Sequence, residues 1–220
     1  MIIQTAFFNC DACLLARKLL GKVIRRNYHG HWLAARIIET EAYYLQEKGS
    51  HASLGYTEKR KALFMPAGTI YMYYARGKDS LNISSKGTGN AVLIKSAFPF
   101  SDTLSSKKAL SIMQQLNPTA SGTIRPAEKL CRGQTLLCQA LNLKVTRWDQ
   151  QVFDADRFYI DDINDKPEKI IQTTRLGIPA GRDEQLAYRF IDHTYSRYCT
   201  ENPLTRRRWV EGKQFWIITP

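Results

Sequence analysis

One apolar, partly β-branched run dominates the chain and predicts a long strand over residues 32–44. It contains the segment Arg-Ile-Ile-Glu-Thr-Glu-Ala-Tyr-Tyr at 36–44. Side chains alternate between the two faces of a strand, so Glu39, Glu41 and Tyr43 are expected on one face. Two carboxylates beside a flat ring are able to hold an aromatic substrate and to activate water next to it.

The remaining elements place this strand in an α+β fold. We predict helices over 11–20, 101–115 and 127–141, and strands over 22–26, 69–75, 81–84, 91–95, 153–160 and 188–191. Residues 46–61 and 117–125 are predicted loops. No internal repeat or long linker is visible. The pattern predicts one domain over 1–220, with a bent antiparallel sheet as the core and helices around it.

The charge indicates a polyanionic partner. Of 220 residues, 32 are Lys or Arg and 20 are Asp or Glu, a net charge of +12. An excess of that size is typical of proteins that bind DNA, RNA or an anionic membrane, although a merely soluble basic protein is the alternative. Combined with Glu39, Glu41 and Tyr43, it suggests chemistry on a nucleic-acid base.

Neither a membrane span nor a secretory signal is recognisable. No run reaches the ~18 apolar residues that a spanning helix needs, and the N-terminus lacks a basic region before its first apolar residues. We therefore expect no membrane association and an intracellular location, cytoplasmic at the nucleoid in a bacterium or nuclear in a eukaryote. The expected oligomeric state is a monomer.

The five cysteines do not form a recognisable disulfide framework, since their count is odd and their spacing irregular. Cys10 and Cys13 form a C-x-x-C motif, which makes metal binding or redox chemistry a candidate function. No second C-x-x-C or histidine pair completes a zinc site, and the helical spacing that follows Cys13 favours packed, reduced thiols. We predict no metal.

Several separated segments resemble the alkyladenine (3-methyladenine) DNA glycosylase family, in the family's order and across most of the chain. The most specific are Ile-Glu-Thr-Glu-Ala-Tyr at 38–43 and Leu-Asn-Ile-Ser-Ser at 81–85. The other segments are 15–21, 68–73, 137–141 and 175–178. The resemblance implies a monofunctional enzyme that flips a damaged purine out of duplex DNA and hydrolyses its N-glycosidic bond. It implies no metal or redox cofactor, and family substrates include 3-methyladenine, 7-methylguanine, hypoxanthine and ethenoadenine.

The resemblance assigns the chemistry to Glu41, which matches the family's catalytic carboxylate. A carboxylate there can deprotonate the attacking water and stabilise the cationic sugar. Lys95 stands where the family usually has an arginine near that water, so it keeps the charge and loses the bidentate fork. Glu39 either raises the pKa of Glu41 or pairs with Arg36 or another base, and we slightly favour pairing.

Four residues match or complete a pocket for the flipped base. Tyr43 and His51 match family residues around the base, and Tyr73 is expected as the wall opposite Tyr43. Asn82 matches the pocket asparagine, whose amide can crowd the exocyclic amino group of guanine. Without the resemblance, the sequence alone would favour core positions for Tyr43 and Tyr73. It would place His51 on the surface and Asn82 at the end of a strand.

DNA contact is predicted at the turn after the strand 69–75. Family members usually carry a tyrosine wedge there, whereas this chain has Arg76 in a segment one residue shorter. Arg76 is expected either to fill the gap left by flipping or to bind phosphate only. Lys78 is assigned to DNA binding, and further basic residues can extend the footprint: 59–61, Lys86, 107–108 and 206–208.

Two other functions remain to be compared with a glycosylase. The departures at Arg76 and Lys95 leave open a non-catalytic nucleic-acid-binding protein on a glycosylase scaffold. A sugar glycosidase using Glu39 and Glu41 is disfavoured, because carboxylates two apart on one strand are poorly placed on opposite sides of a sugar.

Overall fold

Strand β2 (His31–Tyr43) is the centre of the sheet in the computed structural model, which describes residues 1–206 and 208–220. Arg207, part of the predicted basic cluster at 206–208, lies outside the described residues. One edge of β2 pairs first with β1 (Val23–Tyr28) and then with β8 (Arg189–Asp192). The other edge pairs with β5 (Ala91–Pro99). A strand of this length, with different neighbours along it, connects the two halves of one antiparallel sheet.

The described residues form a nine-stranded sheet with antiparallel pairing, in the order β3-β4-β5-β2-β8-β7-β9, while β1 pairs with β2 and β6 pairs with β1. The other strands are β3 (Ile70–Ala75), β4 (Lys78–Ser84), β6 (Phe158–Asp161), β7 (Ile170–Thr173) and β9 (Phe215–Ile218). The helices are α1 (Ala12–Leu19), α2 (Lys107–Leu116), α3 (Ala127–Leu130), α4 (Gln134–Ala140) and α5 (Val145–Trp148). Short 3₁₀ helices span Thr5–Phe8, His51–Leu54, Glu58–Phe64, His193–Tyr198 and Pro203–Thr205. The predicted α+β class is confirmed.

Helix α1 packs on the face of β2 opposite Glu41. Its N-cap is Asp11, whose carboxylate accepts from Leu14 N at 3.1 Å. Its buried residues recur at helical spacing: Ala12, Leu15, Ala16 and Leu19. Thr40 on β2 donates its hydroxyl to Ala16 O at 2.8 Å, which ties the strand to the helix.

An irregularity in β2 decides which side chains reach the opposite face. Ile37 and Ala42 belong to the same core cluster although they are an odd number of residues apart, which a regular strand does not permit. The register with β5 shifts between Ile37 and Glu39, where Ile38 has no partner. Such a bulge reverses the alternation, so Glu39 and Glu41 turn away from the α1 side. Beyond it, the regular pairing with β8 keeps both acids on one face, as predicted.

Several predicted boundaries were wrong. The helix expected over 127–141 is two helices separated at Gly133, whose positive φ of 104° interrupts the helical backbone. The strand expected over 153–160 begins only at Phe158. Strands β7 and β9 and helix α5 were not predicted. One 3₁₀ helix, His51–Leu54, lies within the predicted loop 46–61, and another, Glu58–Phe64, begins in it and extends beyond it.

In residues 1–206 and 208–220, no helix combines the length and apolar character needed to cross a membrane. The five cysteines are free thiols, and Cys131, Cys138 and Cys199 are buried. Burial raises the pKa of the Cys13 thiol to about 11. The Cys13 thiol therefore stays protonated. It packs against the main core cluster, as the helical spacing predicted.

Candidate active site

A cavity of about 810 Å³ opens on the sheet face that carries Glu39 and Glu41. Strand register explains its position, because directly opposed residues share a face. One row of such partners crosses five strands: Arg189, Glu41, Leu93, Asn82 and Tyr71. At 4.7–4.9 Å per strand, the row extends roughly 14 Å from Glu41 to Tyr71. Antiparallel pairing therefore places Leu93, Asn82 and Tyr71 in the cavity lining, in one row with Glu41.

The structure brings seven of the eight predicted site residues to the lining of this cavity. They are Tyr43, His51, Tyr73, Arg76, Lys78, Asn82 and Lys95. Glu41 is the eighth and has no exposed surface. It lies behind the wall, in contact with Tyr43, Lys95 and the backbone of Leu176, which do line the cavity. The structure describes their positions, and their roles remain predictions.

Three donors hold the Glu41 carboxylate. The Tyr43 hydroxyl donates to Oε2 at 2.7 Å, Leu176 N donates to Oε1 at 3.2 Å, and Lys95 Nζ lies 3.4 Å from Oε1. The Lys95 contact is the longest and belongs to a side chain that is 13% exposed. The carboxylate is thus fixed in position, and the Lys95 ammonium is its most distant partner of the three.

Lys95 reaches this position through a second irregularity. In the β2–β5 ladder, Glu39 pairs with Ser96 and Thr40 pairs with Ile94, so Lys95 has no cross-strand partner. Bulges commonly re-aim a side chain beside a functional site. Here the extra residue turns the Lys95 amine toward Glu41 and the cavity.

Tyr43 is held from behind by Arg175, whose guanidinium carbon lies 4.6 Å from the ring centroid. Arg175 donates to Ala42 O at 2.9 Å and pairs with Glu47. Burial, followed by the Glu41 charge and hydrogen bond, raises the pKa of the Tyr43 phenol well above its ordinary value. The phenol therefore stays protonated and continues to donate to Glu41.

His51, Tyr71 and Tyr73 form an aromatic wall on the side of β3. The His51 ring meets Tyr73 edge-on with centroids 4.4 Å apart, and Tyr71 stacks on Tyr73 at 5.6 Å. His51 Nδ1 lies 3.0 Å from the Tyr71 hydroxyl. Desolvation, then Arg60 and Arg182, lower the pKa of His51, so the imidazole is neutral at pH 7.

Asn82 projects from β4 into the row that contains Glu41. Its Nδ2 donates to Tyr71 O at 3.2 Å, which fixes the amide orientation and keeps its carbonyl end available to the cavity. Because Asn82 is only 5% exposed, its side chain forms part of the floor of the cavity and not of its rim.

Arg76 and Lys78 lie at the tip and base of the β3–β4 turn. Ala75 pairs with Lys78, so Arg76 and Gly77 form a two-residue turn, with φ of 52° and 76°. Positive φ at both positions is typical of a type I′ hairpin, which matches the twist of the strands. Both basic side chains are exposed at the cavity mouth.

Glu39 has a different environment. Arg189 contacts its Oε1 at 2.6 Å through a terminal nitrogen, and Ser96 and Thr200 donate hydroxyls at 2.5 and 2.6 Å. Burial alone would raise the pKa of Glu39, but Arg189 and these hydrogen bonds lower it below its usual value. Pairing with a base is thus observed, while Arg36 pairs instead with Asp165 and Asp192.

Sequence reasoning missed three contributors to the site: Tyr71, Arg175 and the backbone of Leu176. Tyr71 has the same strand parity as Tyr73, a signal that was available. Arg175 and Leu176 belong to a matched family segment, but their contacts with Tyr43 and Glu41 follow only from the fold. Among the described residues, no cluster of three or more His, Cys, Asp or Glu side chains is arranged to hold a metal ion.

Comparison with known proteins identifies the family. A profile described as methylpurine-DNA glycosylase matches residues 6–196. The chain belongs to this family. It is 67% identical to a relative from Pseudomonas savastanoi pv. phaseolicola over 212 residues, covering 96% of this chain and 95% of the relative. Identity is 60% with a Pseudomonas aeruginosa PAO1 relative, covering 98% and 90% of the two chains. A Clostridium beijerinckii relative is 34% identical, covering 81% and 88%. All three bear the name 3-methyladenine DNA glycosylase as a provisional assignment.

Proposed function

We propose that this methylpurine-DNA glycosylase family member excises alkylated or deaminated purines from duplex DNA by hydrolysis of the N-glycosidic bond. Family membership supports the reaction class, which is that of an N-glycosyl hydrolase in DNA repair. The products are the free base and an abasic site.

One observation carries the chemical part of the proposal. A buried carboxylate, Glu41, is held by Tyr43, Lys95 and Leu176 N directly behind a cavity with aromatic walls. The volume of about 810 Å³ lies within the ~300–1,000 Å³ typical of small-ligand pockets. A base and its sugar bound in this cavity would contact Lys95 and Tyr43 before they reached Glu41.

In the proposed reaction, Glu41 accepts a proton from the water that attacks C1′ of the sugar. Its negative charge also stabilises the cationic sugar that develops as the purine leaves. Water reaches the carboxylate when DNA binding displaces the Lys95 ammonium, whose contact of 3.4 Å is the longest of the three. Catalytic contacts often tighten only in the complex with substrate.

The flipped purine is proposed to lie between Tyr43 and the Tyr73 side of the cavity. Both rings supply stacking surfaces, and a cationic alkylated purine gains additional attraction from electron-rich faces. His51, neutral and held by Tyr71, supplies a polar contact at the edge of the base. Asn82 in the floor crowds the exocyclic amino group of guanine and so disfavours the normal base.

Double-stranded DNA with damaged purines is the proposed partner. The net charge of +12 supports electrostatic binding, with Lys78 contacting the backbone at the cavity mouth. Activity as a monomer is part of the proposal. Access to chromosomal DNA implies the nucleoid in the cytoplasm of a bacterium, and the relatives named above are bacterial.

Arg76 is proposed to fill the gap that base flipping leaves, because it projects from the hairpin tip and its planar guanidinium can stack on bases. Arg76→Ala should reduce flipping, measured by the fluorescence of a base analogue in duplex DNA. An unchanged signal would limit Arg76 to a phosphate contact.

The reaction itself is tested with duplexes that each contain one ethenoadenine, hypoxanthine or 7-methylguanine. After incubation, alkali cleaves any abasic site and reveals excision as a strand break. We expect breaks with at least one lesion and none with the Glu41→Gln variant. Tight binding to the duplexes with no strand break at any of the lesions would instead favour a non-catalytic DNA-binding protein.

A further inference from the structure

Lys95 is placed for more than electrostatic support of Glu41. Two of the described lysines line the cavity, and Lys78 is exposed at its mouth, whereas Lys95 is 13% exposed and lies deep inside. Its amine faces the cavity on one side and approaches Glu41 Oε1 to 3.4 Å on the other. Because Glu41 has no exposed surface, Lys95 is the nearer of the two groups to a sugar in the cavity.

The abasic product of excision contains a group that reacts with amines. An abasic deoxyribose opens to an aldehyde at C1′, and lysine amines form Schiff bases with carbonyl substrates. We infer that Lys95, which stands where the family usually has an arginine, attacks C1′ of the abasic product. The chain would then differ from the monofunctional enzyme that the resemblance implies, because it would also cleave the DNA strand on the 3′ side by β-elimination. This inference rests on the proposed function in one respect only, which is that purine excision would generate the abasic site in the cell.

The proton balance uses the Lys95–Glu41 pair. The Lys95 ammonium transfers a proton to Glu41, and the free amine forms a bond to C1′. The C1′ hydroxyl then leaves as water with the proton returned by Glu41, which gives a protonated imine. Glu41, a carboxylate again, removes a proton from C2′. The C3′–O bond breaks, the 3′ phosphate departs as an anion, and water finally hydrolyses the imine to release Lys95 and an unsaturated aldehyde.

The identity of the residue matters for this step. An arginine guanidinium stays protonated and cannot supply a nucleophilic nitrogen, whereas a lysine ammonium can lose its proton to a neighbouring base. The bulge that leaves Lys95 without a cross-strand partner aims this amine at both Glu41 and the cavity. The geometry thus couples a nucleophile to a proton acceptor at one point of the cavity.

The test uses a duplex whose abasic site is already formed by removal of uracil, so that purine excision is not needed. Incubation with the full chain and cyanoborohydride reduces any imine to a stable amine. We expect a covalent protein–DNA complex, mapped by peptide mass spectrometry to Lys95, and strand cleavage without alkali when the reductant is omitted. Failure of the proposed excision would appear separately, as no abasic site on the lesion duplexes.

Lys95→Arg keeps a positive charge near Glu41 and should lose both the covalent complex and the cleavage. Lys129→Arg, at an exposed position on α3 outside the cavity, is the matched control and should retain both. The thermal unfolding curve of each variant establishes that it is folded. No complex with the wild-type chain, a complex at another residue such as the N-terminal amine, or unchanged cleavage in Lys95→Arg would each overturn the inference. A complex on Lys95 without strand cleavage would overturn the elimination step.

Discussion

Glu39 and Glu41 are the same residue type on one face of one strand, both without exposed surface, yet their surroundings differ. Glu39 is enclosed by Arg189, Ser96 and Thr200 at 2.5 to 2.7 Å through their side chains. None of these three partners lines the cavity. The Glu39 network is therefore closed, and it joins β2 to β5, β8 and the segment after β8.

The network around Glu41 is looser and faces outward. Its contacts run from 2.7 Å with Tyr43 to 3.4 Å with Lys95, and all three partners border the cavity. Short charge-assisted hydrogen bonds are strong and hold geometry, whereas a longer contact at a cavity is easier for a substrate or water to replace. The comparison teaches that neighbours, and not residue type or burial, separate a structural carboxylate from a candidate catalytic one.

The largest expected effect belongs to Glu41. Glu41→Gln keeps the shape of the side chain and removes the proton acceptor, so excision should fall by about 10²–10⁴-fold or more. Single-turnover excision of a lesion duplex measures it. DNA binding should remain nearly intact, and the free energy of unfolding should change by only about 1 kcal/mol. Near-normal excision would remove Glu41 from the reaction and erase the distinction between the two acids.

Glu39→Gln should reverse this pattern. Removing one partner of a buried ion pair leaves Arg189, 1% exposed, with an uncompensated charge. Loss of about 3 kcal/mol in the free energy of unfolding is expected, measured by urea denaturation at neutral pH. The remaining folded fraction should excise at a rate within about tenfold of wild type, a difference worth about 1.4 kcal/mol in activation free energy. A larger kinetic loss at unchanged stability would make Glu39 part of the catalytic machinery.

The shared face of the acidic residues on β2 could be predicted from the sequence, whereas the arginines that contact this part of β2 could not. Strand parity places Glu39, Glu41 and Tyr43 on one face, and the structure agrees. Arg189 and Arg175 lie more than 130 residues further along the chain, and each reaches its partner only because β8 and the segment after β7 fold against β2. No local spacing encodes such contacts. The pairing of Glu39 with a base was foreseen, but not which base.

The missed elements of the fold have a similar cause. Strands β7 and β9 are four residues each, which is too short for a clear alternation pattern, and pairing with neighbours defines them. The split between α3 and α4 depends on the positive φ of Gly133, and a glycine in a helical pattern does not by itself reveal that conformation. Long or strongly patterned segments such as β2 and α1 were therefore predictable, whereas the short strands β7 and β9 and the helix break at Gly133 were not.

The pH dependence of stability tests the Glu39 network by a smaller effect. The pKa of Glu39 is lower in the folded chain than its ordinary value of 4.5, because Arg189 and the hydroxyl donors outweigh burial. A depressed folded pKa contributes stability above pH 4.5, and that contribution disappears as the pH falls through the folded value. Gln at this position cannot titrate, so the gap in unfolding free energy between wild type and Glu39→Gln should narrow between neutral pH and about pH 3. A gap that stays constant with pH would mean that the Arg189 pair does not determine the charge state of Glu39.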